Sequence, residues 1–152
     1  MNQAARHSQW IEILFVALAV LGLVGTWAQA FGYLEAGLLA GNVRFWTDAF
    51  SSPAGTFLSV DVLVLAAALF VWMFGEGRRL GMAPGWLWAC FLGSLLVGIS
   101  FAVPLFLAYR QRCIRRQHLP GGDQPRGGDW IAIVVAVLIA VVAVARSLAL
   151  AS

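Results

Sequence analysis

The sequence predicts an all-α fold: a polytopic membrane helix bundle of four transmembrane helices, with a three-helix core and a C-terminal fourth. Three observations carry that prediction. Hydrophobic residues make up 61% of the 152-residue chain and charged residues 11%, against ~45–50% and ~25% in soluble domains. Four apolar runs each reach the ~20 residues needed to cross a ~30 Å hydrocarbon core. Tryptophans gather where those runs begin and end, as indoles do at headgroup level. The same composition excludes a disordered chain. Two cysteines exclude a disulfide-stapled secreted module. A transmembrane barrel would need ~10-residue alternating segments, and the apolar runs do not alternate.

The first run, Ile11 to Phe31, follows Trp10. Its Ala28-Gln29-Ala30 fits a small-x-small cleavage pattern. Glu12 and a single preceding arginine, Arg6, argue instead for a retained helix. Residues 32–53 are shorter and mixed. Asn42 is a candidate helix cap, after which Phe45, Trp46, Ala49 and Phe50 share one face and Arg44, Thr47 and Asp48 the other. That pattern suits an interfacial helix or a plug over the helix ends. The second run spans Ala54–Phe74 and the third Trp86–Tyr109. Pro104 lacks the N–H that would bond the Ser100 carbonyl, so a kink is expected near the end of the third run, with space beside it. Residues 1–112 form the predicted core. Residues 113–128, with Pro120-Gly121-Gly122 and Pro125, read as a linker. Residues 129–152 hold the fourth span, Trp130–Leu150. Gly22-x-x-x-Thr26, Ser94-x-x-x-Gly98 and Ala132-x-x-x-Ala136-x-x-x-Ala140 are small-residue faces that let helices approach closely.

All ten basic side chains are arginine. With four crossings, Arg44, Arg110, Arg112, Arg115, Arg116 and Arg126 share one side, and Arg6, Arg78, Arg79 and Arg146 the other. Positive loops stay cytoplasmic, so the expectation is a cytoplasmic loop 110–128 with both termini outside. Arg110, Arg112, Arg115 and Arg116 are expected to meet anionic headgroups, at ~1 kcal/mol each near the surface. The loop lacks the aromatics of a nucleic-acid face, so no nucleic-acid partner is expected.

Ionisable groups within a span are costly and usually paired toward the interior. Asp61 is the one clear intrusion. Arg44, Tyr109 and Arg110 are its expected partners, forming with Pro104 one polar layer. Glu12, Glu76, Arg78 and Arg79 form a second layer at the other end, ~22 Å from Asp61 along the helix. Val62–Val71 between them carries no hydrogen-bonding side chain, which counts against a transport path. His7 and His118 lie apart, and the spacings of a haem or zinc site are missing. Neither a nucleophile triad nor a phosphate loop can be read. No catalytic residue, metal or cofactor is therefore expected.

Three stretches carry a resemblance. They are Asn42…Phe45 leading to Asp61-Val62, then Glu76-Gly77-Arg78-Arg79-Leu80-Gly81-Met82, then Ser100-Phe101-Ala102-Val103-Pro104-Leu105-Phe106-Leu107-Ala108-Tyr109-Arg110. Over about residues 11–112 the chain resembles a bacterial integral membrane family known as domain of unknown function 2834. The resemblance implies a bacterial inner-membrane location and residues to test, but no reaction. A fainter likeness, in layout alone, is to plastid membrane proteins required for neoxanthin formation. Three functions follow as expectations. The leading one is a non-catalytic accessory or assembly subunit packing against other membrane subunits. The second is an isoprenoid- or carotenoid-binding or -processing protein, with bound lipid or isoprenoid near Asp61, Tyr109 and Arg110. The third is a small transporter.

Overall fold

A computed structural model describes residues 3–35, 37–117 and 127–151. Among them the regular elements are six α-helices: α1 (Gln3–Leu34), α2 (Leu38–Ala49), α3 (Pro53–Arg79), α4 (Pro84–Leu96), α5 (Ile99–Arg116) and α6 (Gly127–Ala151). Three of them are long and apolar enough to cross a membrane, over Gln9–Leu34, Pro53–Arg79 and Asp129–Ala149. Pro84–Leu96 is apolar but shorter. The fold is a helical bundle of the membrane type.

Local chemistry sets the helix ends. Ser52 caps α3 by accepting the Gly55 N–H at 3.1 Å, with Pro53 in the first turn, where its missing N–H costs nothing. At the other end Gly81 takes φ 65°. Its N–H bonds the Arg78 carbonyl and the Met82 N–H bonds that of Gly77, a Schellman closure that needs glycine at this position. Pro84 then opens α4. The turn between α3 and α4 is therefore tight and sequence-encoded.

The third predicted span is not one helix. The chain breaks at Val97-Gly98, where Gly98 has φ 141°, a backbone region open almost only to glycine. Val97 and Gly98 both donate to the Gly93 carbonyl, ending α4 at Leu96, eight residues before Pro104. Pro104 sits inside α5, so the interruption belongs to Gly98 and not to the proline.

Contacts fix the direction of each helix. Trp86 packs on Tyr109 at 5.0 Å between ring centroids, and Gly93 faces Ala102, so α4 and α5 are antiparallel. Trp72–Phe106 and Glu76–Arg110 hold one offset, so α5 runs parallel to α3. The α4–α5 unit is thus a helical hairpin that returns to the end it left, with its tip at Val97-Gly98. Glu12–Arg115, Gly22–Ser100 and Trp27–Val97 make α1 antiparallel to α5. Gly25–Val144 and Gln29–Ser147 make α6 parallel to α1.

The expected helical membrane bundle is present, with three helices long enough to cross and the α4–α5 hairpin in place of the third predicted span. The α3–α4 turn, the C-terminus of α5 and the start of α6 all lie at one end, together with the start of α1. The core sits near that end, where Met73, Leu80, Met82, Leu87, Cys90, Val103, Phe106 and Ile114 form one buried cluster. Gly77 makes room there, because a Cβ on it would collide with the Leu87 side chain.

Two further boundaries differ from expectation. α5 continues as helix to Arg116, well into the predicted linker, whose residues 118–126 lie outside the described residues. α2 starts after Gly37, so Asn42 is interior and caps nothing. Its Gly41 is buried against the Tyr33 carbonyl, while Phe45 packs edge-on to the Tyr33 ring at 5.6 Å. The stripe facing away is Leu39, Val43, Trp46 and Phe50, all exposed except half-buried Trp46. Phe45 therefore packs on Tyr33 of α1 while remaining partly exposed.

Candidate functional site

The largest polar assembly lies at the end shared by α3, α4 and α5. Glu76 is one turn before the end of α3, and its side chain is 10% exposed. Arg79, three residues on, donates through Nε at 2.7 Å and Nη2 at 2.8 Å. Arg110 of α5 donates through Nε at 2.7 Å, and its guanidinium carbon lies 5.7 Å from the Trp72 ring centroid. One carboxylate thus holds two cations, one of them also resting on an indole face. Close by, Arg115 Nη1 forms an ion pair with Glu12 Oε2 at 2.5 Å. Gln117 donates to the Leu80 carbonyl at 2.9 Å, tying α5 to the α3–α4 turn.

The first predicted polar layer is not assembled. Arg110 belongs to Glu76, and Tyr109 stacks on Trp86. Both sit at the opposite end of α3 from Asp61, because the hairpin returns. Asp61 and Arg44 are exposed, and among the described residues no ion pair or side-chain hydrogen bond joins Asp61 to Arg44, Tyr109 or Arg110. The second layer is partly assembled: Glu76 meets Arg79, Glu12 meets Arg115, and Arg78 stays exposed.

Pro104 does line a groove, but not beside Asp61. A cleft of about 460 Å³ runs between α1, α5 and α6, with Gly22, Gly25, Ser100, Pro104, Ala140 and Val144 among its walls. Here the proline has a local consequence. It supplies no N–H to the Ser100 carbonyl, and that oxygen is pressed against Gly22, where any Cβ would collide with it. A carbonyl unable to complete its helix bond is covered by the glycine Cα of the neighbouring helix, a geometry suited to a weak C–H···O contact.

Several ties went unread in the sequence. Trp27 Nε1 donates to the Val97 carbonyl at the hairpin tip at 2.9 Å. Gln29 Nε2 donates to the Ser147 carbonyl at 2.7 Å, and Ser147 Oγ donates to the Gly25 carbonyl at 2.9 Å. Tyr33 donates to Asp48 Oδ2 at 3.0 Å, fastening α2. Only the Gly22-x-x-x-Thr26 spacing signalled any of this, by marking the face of α1 that the hairpin meets. Cys90 and Cys113 are both free thiols.

Residues 14–112 match a family described as protein of unknown function DUF2834. No curated protein matches the chain, and no solved structure does.

Proposed function

From the premise that this chain belongs to the protein family of unknown function DUF2834, we propose that it is a multi-pass protein of the bacterial cytoplasmic membrane acting as a non-catalytic accessory subunit. One observation carries the reading: the polar side chains are spent as ties between helices. Glu76, Glu12, Trp27, Gln29, Ser147 and Gln117 each join one helix to another. α6 adds to it, since Ile131, Leu138 and Ile139 stay exposed and Ala132 and Ala136 offer small residues on its outer surface, the composition that lets a further helix approach. The test is affinity purification of the full chain at native expression in mild detergent, followed by native mass measurement. A stoichiometric companion chain supports the reading; a persistently solitary monomer overturns it.

The orientation proposed is N-terminus inside and C-terminus outside. With the hairpin returning, Arg6, Arg78, Arg79, Arg110, Arg112, Arg115 and Arg116 share one end, against Arg44 and Arg146 at the other among the described residues. Seven against two supports this orientation under the positive-inside rule; with four continuous crossings the ten arginines divide six against four. Reporter fusions at Ser152 check this: a periplasmic reporter such as alkaline phosphatase is expected to be active there and a cytoplasmic one silent. The reverse pattern rejects the orientation.

A second reading, an isoprenoid- or lipid-binding protein, draws on the cleft beside Pro104. Its volume falls in the range of small-molecule sites. Asp61, Tyr109 and Arg110 do not line it. Solvent extraction of the same purified material distinguishes the two readings, because a co-purifying isoprenoid at one per chain favours the second.

A further inference from the structure

The arginine-rich end is only partly neutralised. Glu76 takes Arg79 and Arg110, and Glu12 takes Arg115. Arg78, Arg112 and Arg116 are exposed, and among the described residues no carboxylate pairs with them. Arg112 and Arg116 are four residues apart, hence on one face of α5. Their depth is set by neighbours. Tyr109, packed on Trp86, marks the aromatic level on the same helix. Arg112 lies ~4.5 Å beyond Tyr109 along the axis, and Arg116 ~10 Å beyond. The polar headgroup region is ~5–7 Å thick on each side of the hydrocarbon. With Tyr109 at the hydrocarbon edge, Arg112 falls within the phosphate layer and Arg116 at its outer margin, within reach through its long side chain. A guanidinium fork matches a phosphate bidentately.

We infer that Arg112 and Arg116 form a binding surface for the phosphates of anionic phospholipids. This differs from a general attraction along the whole loop, because Arg110 and Arg115 are already committed to carboxylates. The inference rests on the membrane placement proposed above. Recovery of the folded chain without detergent would remove that placement, whereas the lipid comparison below removes the binding surface alone.

The experiment is native mass spectrometry of the full chain in mild detergent, with equal phosphatidylglycerol and phosphatidylcholine. Wild type is expected to retain phosphatidylglycerol in preference, and R112Q/R116Q to lose that preference roughly tenfold or more. R44Q/R146Q, at the other end, is expected to leave it unchanged, and R112K/R116K to restore part of it. Equal retention of the two lipids by wild type overturns the inference. So does an undiminished preference in R112Q/R116Q, or displacement of the lipid by an RNA oligonucleotide. If R112Q/R116Q does not fold, salt decides: a wild-type preference unaltered between 0.05 M and 0.5 M, where screening lengths fall several-fold, also overturns it.

Discussion

Gly22→Leu is expected to part α1 from the α4–α5 hairpin and to be the most damaging single substitution in the bundle. The position admits no Cβ, because the atoms it would strike are the backbone carbonyl and Cβ of Ser100. A flexible side chain could swing aside; a carbonyl inside a helix cannot. Pro104 sharpens the effect by denying that oxygen its ordinary helix partner, so displacing it from Gly22 exposes an unsatisfied acceptor. Overpacking of this kind costs about 1–3 kcal/mol, and an orphaned buried carbonyl about 1–3 more. Separation would also stretch the Trp27–Val97 bond at the tip. Thermal unfolding in mild detergent, followed by tryptophan fluorescence, measures it. A loss of about 3 kcal/mol corresponds to roughly 6–12 °C for a chain of this size. Gly32→Leu is the control, since nothing stands within reach of a side chain there. Equal effects at the two positions would reject the packing argument.

Glu76→Gln has the second largest expected effect. The amide keeps the shape and loses the charge that holds Arg79 and Arg110. The two partners do not count equally. The Arg79 side chain is 60% exposed, and such exposed pairs contribute at most about 1 kcal/mol. Arg110 is 21% exposed and meets a carboxylate that is 10% exposed, so its charge would stay half-buried without compensation. Removing one member of a buried pair costs about 3–5 kcal/mol; partial exposure of Arg110 brings the expectation here to about 2–3 kcal/mol. Asp61, exposed within the candidate span Pro53–Arg79, has no ion pair to lose among the described residues, so Asp61→Asn is expected to destabilise less than Glu76→Gln. The comparison separates the two carboxylates: if Asp61→Asn proves the more damaging, the assignment of the working acid to Glu76 is wrong.

How much of this was legible in the sequence follows from what apolar patterning encodes. Length and hydropathy revealed the helices, because a run of ~20 apolar residues has few other uses. They could not reveal direction. Trp86–Tyr109 is long enough for one crossing, and an all-apolar run looks the same whether it crosses or turns back. Gly98 held the clue, but inside Ser94-x-x-x-Gly98 it reads as a packing glycine, and only its φ of 141° shows otherwise. Pro104, the louder signal, drew the expected kink to the wrong residue. The error then spread. Assuming a crossing put Tyr109 and Arg110 at the level of Asp61 and predicted a polar layer that does not form. The Glu76–Arg79 bridge needs no topology, because residues three apart on one helix are neighbours whichever way the helix runs. Glu12–Arg115 and Gln29–Ser147 required knowing which helices are neighbours, which no local spacing states.

The returning hairpin also bears on the order in which the chain can be built into a bilayer. α4, with 13 residues, spans only ~20 Å as a helix, too short to halt as a segment on its own. Its tip ends on carbonyls that hydrocarbon cannot satisfy, and one of them is met by Trp27 of α1. α4 therefore has no resting place until α5 has emerged to pair with it and α1 is in position to receive the tip. α1 enters first, the hairpin follows as a two-helix unit, and α6 closes against the α1 surface last. α2, the hairpin and α6 all pack on α1, so a lesion in α1 is expected to reach each of those dockings.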